Sequence, residues 1–162
     1  MTITSLFDTV CLGYFASHIP ITLLMDSQAI VPPVWIPDFA VEMNSWYIKT
    51  FNDPLMASPP IWFQSFIACE LIFQIPIFFL AVYGYWNRCN WIRDPLMVYG
   101  AHVTTTLVPV LYELYRNDQV EDGQKLVLAA FYIPYLIIPF LITLRMFMCT
   151  VPFPPVDIKK SQ

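Results

Sequence analysis

The chain is poor in charge. Lysine, arginine, aspartate and glutamate make up 12% of its 162 residues, where an ordinary soluble domain carries roughly a quarter. So small a share excludes a fold whose whole surface faces water. Lysine and arginine number eight against twelve acids, for a net charge of −4, and no run gathers them. A surface for nucleic acid or anionic lipid needs clustered cations to neutralise phosphates, so no nucleic-acid partner is expected. The four cysteines form no disulfide framework. Cys11, Cys69 and Cys149 lie in apolar runs, where buried small hydrophobes are expected, and Cys89 lies in a short polar loop. There is no Cys/His cluster at metal spacing, no glycine-rich phosphate loop, no Gly-x-Ser-x-Gly and no glycosylation sequon. The motifs of a soluble enzyme are missing, and no metal or cofactor is implied.

What is present is apolar and aromatic. Hydrophobic residues reach 57% and aromatics 17%, with a mean hydropathy of +0.57, far more buriable surface than a disordered chain holds. A helix needs about 20 largely apolar residues to cross a bilayer. The sequence meets this at residues 9–26, 61–86, 95–113 and 126–147. The expected fold is an all-α membrane protein, one domain over residues 1–162 with four transmembrane helices. A cleaved signal peptide at the first run would call for a basic flank and a small-x-small site, and neither is there. Prolines 20, 76, 109, 134 and 139 fall inside the spans. Each kinks its helix and frees a carbonyl for a neighbour, and kinked helices leave room between them.

Residues 27–60 are polar and broken by proline, framing a short helix near residues 38–51 that carries Trp46, Tyr47 and Phe51. Aromatics of this kind suit a membrane interface, so this loop is expected to cap the bundle on the lumenal side. Arg88, Arg93, Arg145, Lys159 and Lys160 fall on the side of both termini, and Lys49, Arg116 and Lys125 on the other. The bias places both termini in the cytosol. Lys159 and Lys160 also fit the Lys-Lys-x-x pattern of endoplasmic-reticulum retrieval, with a stop-transfer flank as the alternative.

Ionisable groups at membrane depth cost about 2.5–3.5 kcal/mol on insertion scales, so those retained face a cavity or a partner. Asp26 closes the first span and Asp53 precedes Pro54 before the second. The two are expected to meet at the lumenal mouth, one holding a proton and bonding the other, as a receptacle for a cationic amine. The alternative for each is a helix cap. Glu70 and Gln74 stand one turn apart and share a face, for a ligand or as an interhelical clamp. His18 and His102 fit satisfied core positions better than acid–base catalysis, and Thr104, Thr105 and Thr106 can bond back to their own helix.

Several stretches together carry a family resemblance: His18-Ile19-Pro20-Ile21-Thr22 with Met25-Asp26, Asp53-Pro54-Leu55, Pro60-x-Trp62-Phe63, Cys69-Glu70-Leu71, Phe73-Gln74, Trp91-Ile92-Arg93, Thr105-Thr106-Leu107, and Tyr132-x-Pro134-Tyr135 onward through Phe140. Over nearly its whole length the chain resembles the sigma-2 receptor family, a branch of the EXPERA-domain membrane proteins. That resemblance implies a four-helix endoplasmic-reticulum protein, often a homodimer, with a pocket open toward lipid for sterols or oxysterols and cationic amphiphilic amines. It implies Asp26 as the ligand-pairing carboxylate, supported by Asp53. Met25, Glu70, Gln74, Thr106 and Tyr135 would line the pocket, with Trp46, Tyr47 and Phe51 nearby. It also implies a role in cholesterol handling through a Niemann–Pick type C cholesterol transporter. The same superfamily contains emopamil-binding sterol Δ8–Δ7 isomerases, with a His and a Glu expected one turn apart on the second span. Here Glu70 and Gln74 occupy that place, and Gln cannot shuttle a proton. An isomerase-like enzyme and a membrane assembly factor are the two alternatives to a non-catalytic binder.

Overall fold

The computed structural model describes residues 6–154, and these form helices and turns with no strand among them. Helix α1, Leu6–Leu24, passes into a 3-10 turn, Asp26–Ala29. Prolines then break the chain until α2, Asp38–Phe51, which ends where Asn52 turns left-handed at φ 51°. Asparagine tolerates that conformation, and Pro54 just beyond prevents the helix from resuming. A single turn, α3, Pro54–Ala57, leads into the second long stretch.

That stretch is continuous over Ile61–Asn87 but not uniform. It comprises α4, Ile61–Cys69, a π-helical segment, Glu70–Gln74, and α5, Ile75–Asn87. The widening has a local cause. Pro76 lacks an N–H, and its ring would collide with the carbonyl four residues back. The Ile75 amide bonds instead to the Glu70 carbonyl, five residues earlier, which opens the turn and absorbs the clash. The expected single helical face of Glu70 and Gln74 is thus a π turn. Helices α6, Arg93–Arg116, and α7, Asp122–Met148, complete the chain.

Three helical stretches are long and apolar enough to cross a membrane: Leu6–Ala29, Ile61–Asn87 and Asp122–Met148. The expected third span, residues 95–113, coincides with α6. Its 24 residues extend about 36 Å, but His102 and three successive threonines make it less apolar than the other three. Lys159 and Lys160 lie outside the described residues.

The core has two parts. Cys11, Phe15, Phe78, Leu96, Tyr99, Ile142 and Met146 fill one, where α1, α5, α6 and α7 meet. Leu55, Phe63, Ile67, Val110, Leu114 and Leu128 fill the other, beneath the loop. Many large apolar side chains point outward, among them Ile72, Phe79, Phe140 and Phe147, as on a surface meant for hydrocarbon. The same inversion corrects the expectation for two cysteines. Cys11 is buried, but Cys69 and Cys149 are exposed: an apolar run in a membrane helix supplies its outer face as well as its inner one, as at Cys69 on α4, and Cys149 already lies past the end of α7.

At the end where both described termini lie, Arg145 pairs with buried Asp8 and donates to the Pro152 carbonyl at 3.0 Å. Asn90 exchanges two hydrogen bonds with the Phe153 backbone, at 2.8 and 3.0 Å. Arg93 reaches the Cys149 carbonyl at 3.0 Å. Cations that the sequence offered as orientation signals therefore also tie residues 149–153 to the loop after α5.

Helices α6 and α7 pack along their length, and Gly100 permits it. A Cβ there would stand 2.2 Å from Thr143 Oγ1 and 2.5 Å from the Pro139 carbonyl oxygen, so backbone meets backbone, as small residues allow in membrane bundles. Gly100→Ala is expected to lower stability by about 1–3 kcal/mol through overpacking. Gly13→Ala, with nothing within 4 Å of the new carbon, should leave it unchanged or slightly raised. Thermal unfolding of the two variants in detergent checks the contrast.

Candidate functional site

The helices enclose a cavity of about 240 Å³, just under the range of roughly 300–1,000 Å³ usual for small-molecule sites. Its walls come from every long helix and from the loop. Phe63, Phe66 and Ile67 of α4 and Val103, Leu107 and Val110 of α6 supply the apolar sides. Tyr14, His18, Tyr99 and Tyr135 form an aromatic floor. His18 stacks at 4.2 Å from Tyr14 and edge-on at 4.6 Å to Tyr135. Its Nδ1 lies 3.2 Å from the Tyr14 carbonyl oxygen, as a satisfied core histidine would. The Tyr14 and Tyr99 hydroxyls bond each other at 2.9 Å, joining α1 to α6.

Two carboxylates line this cavity, Asp26 at the end of the first stretch and Glu70 at the start of the π segment. Thr22, fully buried, donates to Glu70 Oε1 at 2.5 Å and fixes α1 against the π turn. Gln74, one turn on, is buried against the same space. Met25, Tyr47, Thr106 and Tyr135 line it as well. The Thr106 hydroxyl is engaged by the Val103 carbonyl at 3.1 Å, and Thr104 and Thr105 bond back in the same way. Among the described residues of the lining there is no lysine or arginine.

Asp53 does something different from what its proximity to the mouth suggested. It is wholly buried and outside the cavity lining. One oxygen accepts from the Leu55 and Met56 amides at 2.9 and 3.3 Å, capping α3. The other accepts from the hydroxyls of Tyr47 and Tyr132, each at 2.8 Å. Its hydrogen bonds thus run to α2, α3 and α7 rather than to Asp26, and the acid that shares the cavity with Asp26 is Glu70. Burial first, and then the charge and hydrogen bond of Asp53, push the Tyr47 phenol far above its ordinary pKa, so this hydroxyl remains a donor. Trp46 and Phe51 also stand outside the lining. Phe51 packs edge-on against Phe131 at 4.9 Å, and Trp46 packs on Phe51 at 5.8 Å with its ring largely exposed. They back the rim that Phe131 and Tyr47 form.

Sequence reasoning missed Thr22 as the partner of Glu70, Tyr132 as a partner of Asp53, and Asn44 in the lining. Asn44 had one usable signal: it lies three residues before Tyr47 on a helix, hence on the same face.

Removing the charge of Asp53 should act on folding. In Asp53→Asn the amide nitrogen cannot accept from either tyrosine, so a donor buried at that node is left without a partner, at about 1–3 kcal/mol. The expected result is a lowered unfolding temperature, with Tyr132→Phe showing a smaller loss and the two changes less than additive. A double-mutant cycle of thermal unfolding measures this.

Comparison with known proteins places this architecture. Residues 39–146 match the family model described as EXPERA, the expanded EBP superfamily. The chain is 41% identical over 161 residues to "Sigma intracellular receptor 2" of Homo sapiens, covering 92% of this chain and 90% of that protein. The Xenopus tropicalis protein of the same name is 41% identical over 150 residues, covering 87% and 88%. "Efficient mitochondria targeting-associated protein 19" of Saccharomyces cerevisiae is 28% identical over 144 residues, covering 79% and 89%.

Proposed function

The chain belongs to the EXPERA, or expanded EBP, superfamily and within it to the sigma-2 receptor family, and from that membership we propose that it is a receptor-like membrane protein that binds sterols and cationic amphiphilic amines in the cavity between its helices. The single observation that carries the proposal is the pairing of Asp26 with Glu70 in a cavity otherwise lined mainly by apolar and aromatic side chains, without a cation among the described lining residues. Two carboxylates held in apolar surroundings repel each other and lack solvation. A ligand ammonium relieves both conditions, and its hydrocarbon body matches Phe63, Ile67, Val103 and Leu107. Asp26 is the proposed ion-pairing group. Glu70, held by Thr22, and Gln74 complete the polar side. Asp53 acts from behind, by fixing Tyr47 and Tyr132.

In this proposal α6 crosses the bilayer as a fourth span. The three threonine hydroxyls of that span are met by their own backbone. The endoplasmic reticulum is the proposed location, with both termini cytosolic, and a homodimer the proposed state. The proposed role is modulation of cholesterol handling, in contact with a Niemann–Pick type C cholesterol transporter. We read the site as non-catalytic, because Gln74 stands one turn from Glu70 where the isomerase branch is expected to pair a His with a Glu, and an amide cannot shuttle a proton.

The test compares wild type with Asp26→Asn for equilibrium binding of a cationic amphiphilic amine, beside a thermal-unfolding curve for each. The expected outcome is at least a tenfold loss of amine affinity, about 1.4 kcal/mol or more, with unfolding unchanged. Undiminished binding, or loss only through unfolding, would replace the binder by a structural assembly factor.

A further inference from the structure

Asn44 lies on α2, lines the cavity and is only 8% exposed. Its amide orientation is dictated by a neighbour. The Gln28 side-chain nitrogen donates to two backbone carbonyls, Leu24 O at 2.5 Å and Ala40 O at 3.0 Å. Both of its hydrogens are thereby used, and its oxygen is left to accept. It accepts from Asn44 Nδ2 at 3.1 Å. Turning the Asn44 amide over would set oxygen against oxygen. Turning Gln28 over as well would set its oxygen against two carbonyls. The arrangement therefore has one sense, and Asn44 Oδ1 is left as a buried acceptor with no hydrogen-bond partner among the described residues.

Several donors of the lining and its supports are already engaged. The Tyr47 and Tyr132 hydroxyls go to Asp53, the Thr22 hydroxyl to Glu70, and the Thr106 hydroxyl to its own helix. A buried acceptor left unmet costs about 1–3 kcal/mol. Gln28, which aims Asn44, stands two residues after Asp26 on the same 3-10 turn, so Asp26 and Asn44 border one cavity from adjoining supports.

We propose that Asn44 Oδ1 accepts a hydrogen bond from the bound ligand, and that it makes the site prefer primary or secondary ammonium groups to tertiary ones. This rests on the amphiphile-binding reading above and adds a selection rule to it. A secondary ammonium has two N–H donors, one for the Asp26 carboxylate and one for Asn44. A tertiary ammonium has one, which the carboxylate takes, and the amide oxygen stays unmet. A site built to receive a donor discriminates against the analogue without it, whereas an apolar wall at that position would favour the extra methyl.

The test uses two amines with one chain, N-methyldodecylamine and N,N-dimethyldodecylamine, both protonated at pH 7. Binding to the full-length protein in detergent is measured by calorimetry and corrected for each amine's partition into empty micelles. Wild type is expected to bind the secondary amine about tenfold more tightly, about 1.4 kcal/mol. In Asn44→Leu the preference should vanish, mainly through weaker binding of the secondary amine. In Asn44→Asp, which keeps an acceptor in place, it should persist. Equal binding of both amines by wild type would overturn the proposal without touching the amphiphile-binding reading, and so would a preference surviving in folded Asn44→Leu. The wild-type comparison decides even if a variant does not fold. Binding of neither amine would overturn the amphiphile-binding reading and the selection rule with it.

Discussion

Burying a polar group without a hydrogen bond costs roughly 2–7 kcal/mol, and within hydrocarbon no water relieves it. That constraint orders the polar side chains of this bundle. The threonines of α6 bond back to their own helix, Thr22 meets Glu70, and the Tyr14 and Tyr99 hydroxyls meet each other. Asp53, with no solvent exposure, is met by two amides and two tyrosines. Of the buried polar atoms without a hydrogen-bond partner among the described residues, Asn44 Oδ1 belongs to the cavity lining, whereas Tyr85 Oη and His102 Nε2 lie outside it.

Proline is the second organising element. Pro76 cannot sit in an unbroken α-helix without losing a bond and meeting a carbonyl, and the π turn Glu70–Gln74 is the local remedy. Glu70 and Gln74 both fall in that widened turn and line the cavity. On α7 the Thr143 hydroxyl donates back to the Pro139 carbonyl at 2.9 Å, directly where Gly100 of α6 comes close. Helix irregularity and tight packing thus coexist in one bundle, the first opening space between the helices and the second keeping the walls in place.

Asp26 and Asp53 show how like residues come to occupy different places. Each is an aspartate beside a span end. Asp26 lines the cavity, and Asp53 lies behind it, tying α2, α3 and α7 together through Tyr47 and Tyr132. Trp46 and Phe51 follow the same division, standing outside the rim that Tyr47 helps to form.

Much of the architecture is legible in the chain itself. Long apolar runs, few charges and a proline-framed loop determine a helical membrane protein with a short helix inside that loop, because hydrocarbon admits only backbones that satisfy themselves. The cap at Asp53 followed by Pro54 and the acid at Glu70 are visible in the same way. The pairing of those groups was decided by tertiary structure alone. Thr22 and Glu70 are 48 positions apart, and Tyr132 and Asp53 are 79 apart, and no local spacing encodes such contacts. Nor does composition separate the inner from the outer face when both are apolar, which is why the outward place of Cys69 on α4 could not be read from the chain. Which carboxylate reaches the cavity depends on how kinked helices close around it, and that is a property of the assembled bundle.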